Sequence, residues 1–332
     1  MKKKTFSILF FLTVFALLLS ACGRTSDGVT TLRLAENQPD DFPTALGVKE
    51  FARLIEEKTD GRYKVEVYTG GQLGDEKSVI EHLQLGSIDL ARVNGTPLTE
   101  FSDVIGVLSL PFLFETPEQK WDVWQGEIGE DILDSFEGSR FVGLTYYDNG
   151  IRSFYNSKRP IRTPEDMKGL KIRVQPSDLA ISIVESLGAS ATPMDYGEVY
   201  SSIQTGVIDG GENNLPSYYS SNHYGVAKQF TLGGYQSVPE VVVISEKTWD
   251  KLSDEDKVIF KEAAEESVAV QREAWDKMEE EALEAIKEHG NELVELEDID
   301  QWREAVEPVY EKYSKQYGEW VERIRQEIDK DK

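Results

Sequence analysis

Few side chains in this sequence are arranged to do chemistry, and the clearest is Arg173. Leu170, Ile172 and Val174 alternate with Lys171, Arg173 and Gln175, the period-two pattern of a strand that turns one face inward. A guanidinium on such a strand is planar and permanently charged, and its parallel N–H groups match a carboxylate. Taken alone, the pattern suits a solvated strand arginine equally well. Covalent and metal chemistry have little to work with. The three histidines, His82, His223 and His289, show no metal-ligand spacing, and Cys22 is the only cysteine. No glycine-rich loop ends in Lys-Ser or Lys-Thr to cradle a phosphate. The 61 acidic residues leave room for a two-carboxylate glycosidase, but no motif marks the pair. A binding protein is therefore expected rather than an enzyme, with no metal and no cofactor.

The elements that must hold such a site are announced by a repeat. Leu83-Gln84-Leu85-Gly86-Ser87-Ile88-Asp89 returns as Ile203-Gln204-Thr205-Gly206-Val207-Ile208-Asp209, displaced by 120 residues, and an asparagine follows each copy, Asn94 and Asn214. Each copy reads as a helix that ends at Gly and passes into an apolar strand. Two lobes of similar build would then face each other across a cleft, the usual place for a small ligand. The same displacement maps Glu76 onto Tyr196, each at a helix start. Pseudo-symmetry would set one on each side of the cleft, Glu76 accepting hydrogen bonds from ligand hydroxyls and Tyr196 offering an aromatic wall or a phenol. A helix-start acid favoured by the dipole and a packed tyrosine are the plainer accounts.

Strands are expected at residues 31–35, 64–68, 88–93, 141–147, 151–156, 170–175 and 241–245, with helical stretches between several of them. That alternation predicts an α/β protein with mainly parallel sheets. Gly210-Gly211-Glu212-Asn213-Asn214 has turn composition. Ser253 with Asp256 opens, and Gly290 closes, a helix over residues 254–289. Unbroken, it would be about 54 Å long, enough to lie across both lobes. Residues 30–150 with 241–290 are expected to form lobe I, and 151–240 with 291–332 lobe II, the chain crossing near Gly150 and Val238 at hinges.

At the amino terminus Lys2, Lys3 and Lys4 precede an apolar run from Phe6 to Leu19, too short to span a bilayer and laid out as a secretory signal over residues 1–21. Leu19-Ser20-Ala21-Cys22 resembles the bacterial lipobox, which implies a diacylglycerol on Cys22, a tether over residues 22–29 and a protein held outside the cytoplasm on the membrane by its lipid. With one cysteine the chain can form no internal disulfide. Removing residues 1–21 takes three lysines and no acid, so the net charge moves from -25 to -28. Nucleic acid and anionic membrane surfaces are poor partners for such a body. An anionic ligand would need a few local cations shielded from the rest.

Several ordered motifs carry a family resemblance. Gly71-Gln72-Leu73-Gly74-Asp75-Glu76, Leu110-Pro111-Phe112-Leu113-Phe114, Asp166-Met167-Lys168-Gly169-Leu170-Lys171-Ile172-Arg173-Val174, and Pro193-Met194 through Glu198-Val199-Tyr200 to Asp209-Gly210-Gly211-Glu212-Asn213 resemble the DctP-like solute-binding proteins of tripartite ATP-independent periplasmic (TRAP) transporters. The resemblance runs from about Thr31 into the long helix and beyond. It implies a two-lobed, periplasmic-binding-protein-like (Venus flytrap) receptor that closes on an organic acid and delivers it to a sodium-driven permease of two integral subunits. It also implies that Arg173 clamps the ligand carboxylate, that Arg152 is a second ligand-facing arginine and that Asn213 hydrogen-bonds the same carboxylate. Asn37, Gln38, Asn94, Tyr235 and Gln236 are further ligand candidates at strand ends and in loops; Tyr235 stands where many relatives carry His. Phe112 and Phe114 are expected in the core. Glu76 among neutral polar groups favours hydroxyls on the rest of the ligand, so a sugar acid such as a uronate is expected first, with C4-dicarboxylates and 2-oxo or aromatic acids as alternatives.

Overall fold

The structure, a computed structural model, describes residues 28–330; the expected signal, Cys22 and most of the tether lie outside the described residues. The chain first alternates β1 (Thr30–Ala35), α1 (Pro43–Lys58), β2 (Tyr63–Tyr68), α2 (Glu76–Leu85) and β3 (Leu90–Asn94), then runs through α3 (Pro117–Gln125) and α4 (Glu127–Asp134) to β4 (Phe141–Tyr147). It crosses to a second sheet with β5 (Ser153–Asn156), β6 (Lys171–Val174), α5 (Asp178–Ser186), β7 (Ser190–Pro193), α6 (Val199–Thr205), β8 (Gly210–Asn213), α7 (Leu215–Ser220) and β9 (Gln229–Leu232). After a return as β10 (Glu240–Ser245) come α8 (Asp254–His289), β11 (Glu292–Glu295) and α9 (Ile299–Asp329). The sheets have the orders β2-β1-β3-β10-β4 and β11-β9-β5-β8-β6-β7.

The sheets are mixed rather than mainly parallel. β10 runs against β3 and β4, and β5 against β8 and β9. The cause lies in the crossings. A strand that arrives from the other sheet without a crossover helix enters at the carboxyl ends of its new neighbours and has to run back along them. The expected strands are all present. The segment expected to turn at residues 210–214 is instead the buried strand β8, seated between β5 and β6. Its glycines admit a close neighbour: a Cβ on Gly211 would lie 2.8 Å from Tyr155 Oη.

The repeated phrase is a repeated structure. Gly86 (φ 67°) and Gly206 (φ 77°) each end a helix in the left-handed conformation that glycine adopts without steric cost. Asp89 Oδ2 accepts from Arg33 N at 2.9 Å, and Asp209 Oδ2 accepts from Lys171 N at 2.9 Å, so each copy ties its new strand to a neighbour in the same way. Asn94 and Asn214 cap the helical turns that follow, accepting from Thr96 N (3.0 Å) and Ser217 N (2.7 Å).

α8 is unbroken from its Ser253 cap to Gly290. Phe260, Ala263, Ala264 and Val268 pack into the core around the first sheet, while Ala282 and Ile286 join Tyr155, Tyr218 and Phe230 in a core against the second. Between these ends the helix holds the first crossing. Gln271 donates to Asp148 O and accepts from Asp148 N, both at 2.9 Å, and Tyr147 Oη meets Ser267 Oγ at 2.6 Å. α9 reaches elements of both sheets, with Arg323 on Asp131 of α4 (2.5 Å) and Lys312 on Ser182 of α5 (2.6 Å). Phe112 and Phe114 pack against the core. Among the described residues no helix is long and apolar enough to cross a membrane.

Candidate ligand-binding site

Loops leaving the carboxyl ends of β1, β2 and β3 on one side and β6 and β7 on the other enclose a cavity of about 350 Å³, the place where open α/β sheets take their ligands. Asn37, Glu76 and Pro97 face it from the first sheet, and Arg173, Gln175 and Tyr196 from the second. Glu76 and Tyr196, related by the repeat, therefore do share one cavity. Asp75 and Asp195 at its rim are a further pair with the same displacement, which the repeat could have supplied.

Arg173 is the unusual charge here. It is 2% exposed, its Nε donates to Met194 O at 2.9 Å, and its Cζ lies 5.7 Å from the centre of the Tyr196 ring. Among the described residues it has no ion pair. Burial lowers its pKa from the ordinary arginine value, with Glu212 opposing, yet a guanidinium keeps its charge throughout the physiological range. A buried cation without a counter-ion is costly, and this one faces a cavity. Beside it, Gln175 Oε1 is buried without a hydrogen-bond partner among the described residues, an acceptor that sequence alternation alone did not single out. The Tyr196 phenol is engaged with Ser217 O at 3.1 Å and with Ser221 Oγ. Its ring, rather than its hydroxyl, is what the cavity receives.

Arg152 and Asn213 stand beside this wall rather than in it. Arg152 grips Glu212 bidentately, Nε to Oε2 at 2.5 Å and Nη2 to Oε1 at 2.8 Å, and its Nη1 donates to Asn213 Oδ1 at 3.0 Å. Burial opposes the Arg152 charge, but Glu212 outweighs it and raises the pKa. Asn213 Oδ1 also accepts from Asn214 N at 2.9 Å. Both bonds fix the amide with its NH₂ group unspent.

The first-sheet wall rests on Arg92, which sequence reasoning missed. It is buried in β3, donating to Glu36, to Asn37 Oδ1 and to Glu240 Oε2 (2.6 Å), with Glu76 Oε1 at 3.5 Å. Glu76 Oε1 also accepts from Asn94 N at 2.9 Å. Burial pushes the Glu76 carboxyl up, Arg92 opposes, and Glu240 and Glu36 add to the rise, to about 6.

Four expected candidates lie away from the cavity wall, and three of them, Asn94, Tyr235 and Gln236, spend their side-chain polar groups on the framework. Asn94 donates to Glu240 Oε1 (2.8 Å), whereas the Gln38 bond to Glu36 Oε1 (2.8 Å) is made by its backbone N and its side-chain Oε1 is buried without a partner among the described residues. Tyr235 stacks on Phe154 at 4.4 Å and donates to Glu212 Oε2 (3.1 Å), while Gln236 bonds Ser109 O. Arg152 N donates to Gln236 O at 2.8 Å, so the two crossings are joined to each other. A hollow of about 380 Å³ also lies under α9. It does not sit at the strand ends, and its Arg303 is taken by Glu115 (3.2 Å).

Residues 34–316 match the family described as bacterial extracellular solute-binding protein, family 7 (DctP). A curated solute-binding protein of Chromohalobacter salexigens is 35% identical over 306 residues, 92% of this chain and 91% of that one. A TRAP periplasmic solute-binding protein from a Bradyrhizobium species, solved in complex with α/β-D-galacturonate, is 40% identical with a TM-score of 0.88, covering 90% of this chain and 100% of the other. One from Pseudomonas putida, with bound D-glucuronate, is 36% identical with a TM-score of 0.86, covering 89% and 97%. A two-sheet α/β frame, a cleft at the strand ends and a family match over most of the length agree: the chain belongs to the DctP family of extracytoplasmic solute-binding proteins, receptors and not enzymes.

Proposed function

We propose that this protein captures a hexuronate for a TRAP permease, with the sugar carboxylate on Arg173. The observation that carries the reading is the buried Arg173 guanidinium, facing the cavity with no ion pair among the described residues. Asn213 lends a neutral donor to the same carboxylate, and Arg152 orients it. The ring hydroxyls lie toward Asn37, Glu76 and Gln175, and the Tyr196 ring forms the wall beneath the acid group. The galacturonate and glucuronate complexes of the similar proteins support this choice over C4-dicarboxylates and 2-oxo or aromatic acids. Closure moves the first sheet against the second, hinged at the crossings near Gly150 and Val238 with α8 and α9 spanning both, and the closed form is what the permease receives. Cys22 carries the lipid that keeps the receptor at the membrane.

Calorimetry with D-galacturonate, D-glucuronate and succinate tests the reading. The uronates should bind. Arg173→Ala should lose about 3 to 5 kcal/mol if the ion pair is buried, an affinity loss on the order of a hundredfold or more. A variant that still binds within about threefold, in the range expected for peripheral contacts, would remove Arg173 from the site.

A further inference from the structure

The buried charges behind the first-sheet wall do not balance. Arg92 is the one cation against three carboxylates, Glu36, Glu240 and Glu76, and the side chains of Arg92 and Glu36 are 1% and 0% exposed. Glu36 and Glu240 hold the short contacts to Arg92; Glu76 has only the 3.5 Å one. Glu76 is also the member of the trio that lines the ligand cavity. Its Oε1 is committed to Asn94 N, which leaves Oε2 for the cleft. A hollow of about 10 Å³ lined by Glu36, Glu76 and Arg92 adjoins this point, room on the order of one water.

We infer that Glu76 takes up a proton from solvent onto Oε2 when the acid ligand enters the cleft, so that capture is proton-linked and the carboxylic acid donates to a ligand oxygen. The inference rests on the proposed receptor function and adds a titrating group to it. Facing Glu76 are Glu36 beyond β1, Arg92 in β3 and Glu240 in β10; Asp75 and Lys77 flank it on its own element, and Arg173, Asp195 and Tyr196 line the opposite wall. Arg92 is already outnumbered by acids, so an arriving anion adds to the charge that opposes ionisation of Glu76. The free protein's Glu76 pKa is already raised to about 6, and the ligand raises it further. The bound state therefore holds more protons than the free state near neutrality, and affinity falls as pH rises. Where two like charges share a buried site, one carboxyl stays protonated.

The test is calorimetry of D-galacturonate binding to the full protein in two buffers of different ionisation enthalpy, from about pH 5.5 to 8, with E76Q alongside. The wild type should absorb a sizeable fraction of a proton near neutral pH and weaken on the order of tenfold across that range. E76Q, which keeps a neutral donor and acceptor, should bind with little dependence on pH. Tight binding with no proton uptake by the wild type would overturn the inference and leave the receptor reading standing, as would proton uptake that persists in E76Q. If no uronate binds at any pH, the receptor reading fails and the inference falls with it.

Discussion

Acid should unfold this protein in part through His223. The ring is 1% exposed, its Nδ1 lies 2.9 Å from Tyr155 Oη, and its centre lies 5.6 Å from that of the Tyr196 ring in an edge-on arrangement. Burial first, and the neighbouring Arg173 charge second, lower its pKa from the ordinary 6.5 to about 4. The unfolded chain therefore binds a proton between those values that the folded chain refuses. The sign is that of a buried neutral histidine: stability is fully present above about pH 6.5 and is lost as pH falls toward 4. At about 1.4 kcal/mol per pH unit, the gap between the two values amounts to about 3 kcal/mol. Glu76 works in the opposite sense. Its folded pKa is raised from 4.5 to about 6, so its share is present below 4.5 and lost as pH rises through 6. That share is common to the wild type and a His223→Gln variant and cancels in their difference. Urea denaturation at several pH values between 7 and 4 should show the variant less stable at neutrality but losing about 3 kcal/mol less on acidification. Stability curves that run parallel down to pH 4 would refute the burial of a neutral ring as the cause.

Two further substitutions probe the frame around the site. Glu212→Gln leaves the buried Arg152 guanidinium without its bidentate partner, and should cost about 3 to 5 kcal/mol of stability in urea denaturation. Gly234→Ala places a methyl group into Ile151 Cγ2 and 2.7 Å from Arg152 O, at φ 36°; an overpacking loss of about 1 to 3 kcal/mol is expected, together with weaker uronate binding, and a melting temperature equal to wild type would show that the crossing yields freely.

The parts of this fold that were legible have patterns longer than one turn or one strand. The apolar spacing of α8, with Ser253 and Gly290 at its ends, carries its own boundaries, and the repeat at 120 residues carries the pairing of Glu76 with Tyr196. β8 was legible only through the repeat, which passes each helix into a strand, because Gly210-Gly211-Glu212-Asn213 by itself has turn composition. What holds that composition extended is β5 and β6 on either side, a tertiary fact. Arg92 was missed for a related reason. A lone arginine within the apolar run Leu90-Ala91-Arg92-Val93 is a signal, but its partners at residues 36, 76 and 240 converge only when β1, β3 and β10 are laid side by side and α2 starts against them. Asn94, Tyr235 and Gln236 share the polarity of ligand contacts, and only the side-chain hydrogen bonds they make show that the framework has claimed them.

The distribution of buried charge sets the direction in which a ligand can lie. On the second-sheet side Arg152 and Arg173 face one acid, Glu212; on the first-sheet side Arg92 faces three. One end of the cavity thus favours a carboxylate and the other disfavours it. A monocarboxylate with hydroxyls at its far end satisfies both walls. Its dicarboxylate counterpart must push a second negative charge toward Glu36 and Glu240 and against the protonated Glu76, and at an effective dielectric of about 20 each like-charge contact near 5 Å costs about 3 kcal/mol. One such contact is a factor on the order of a hundred in affinity. In competition calorimetry, D-galactarate should therefore bind on the order of a hundredfold more weakly than D-galacturonate at neutral pH. Comparable affinities would mean that the trio around Arg92 carries less negative charge than its geometry indicates, and that the cavity does not select for the number of carboxylates.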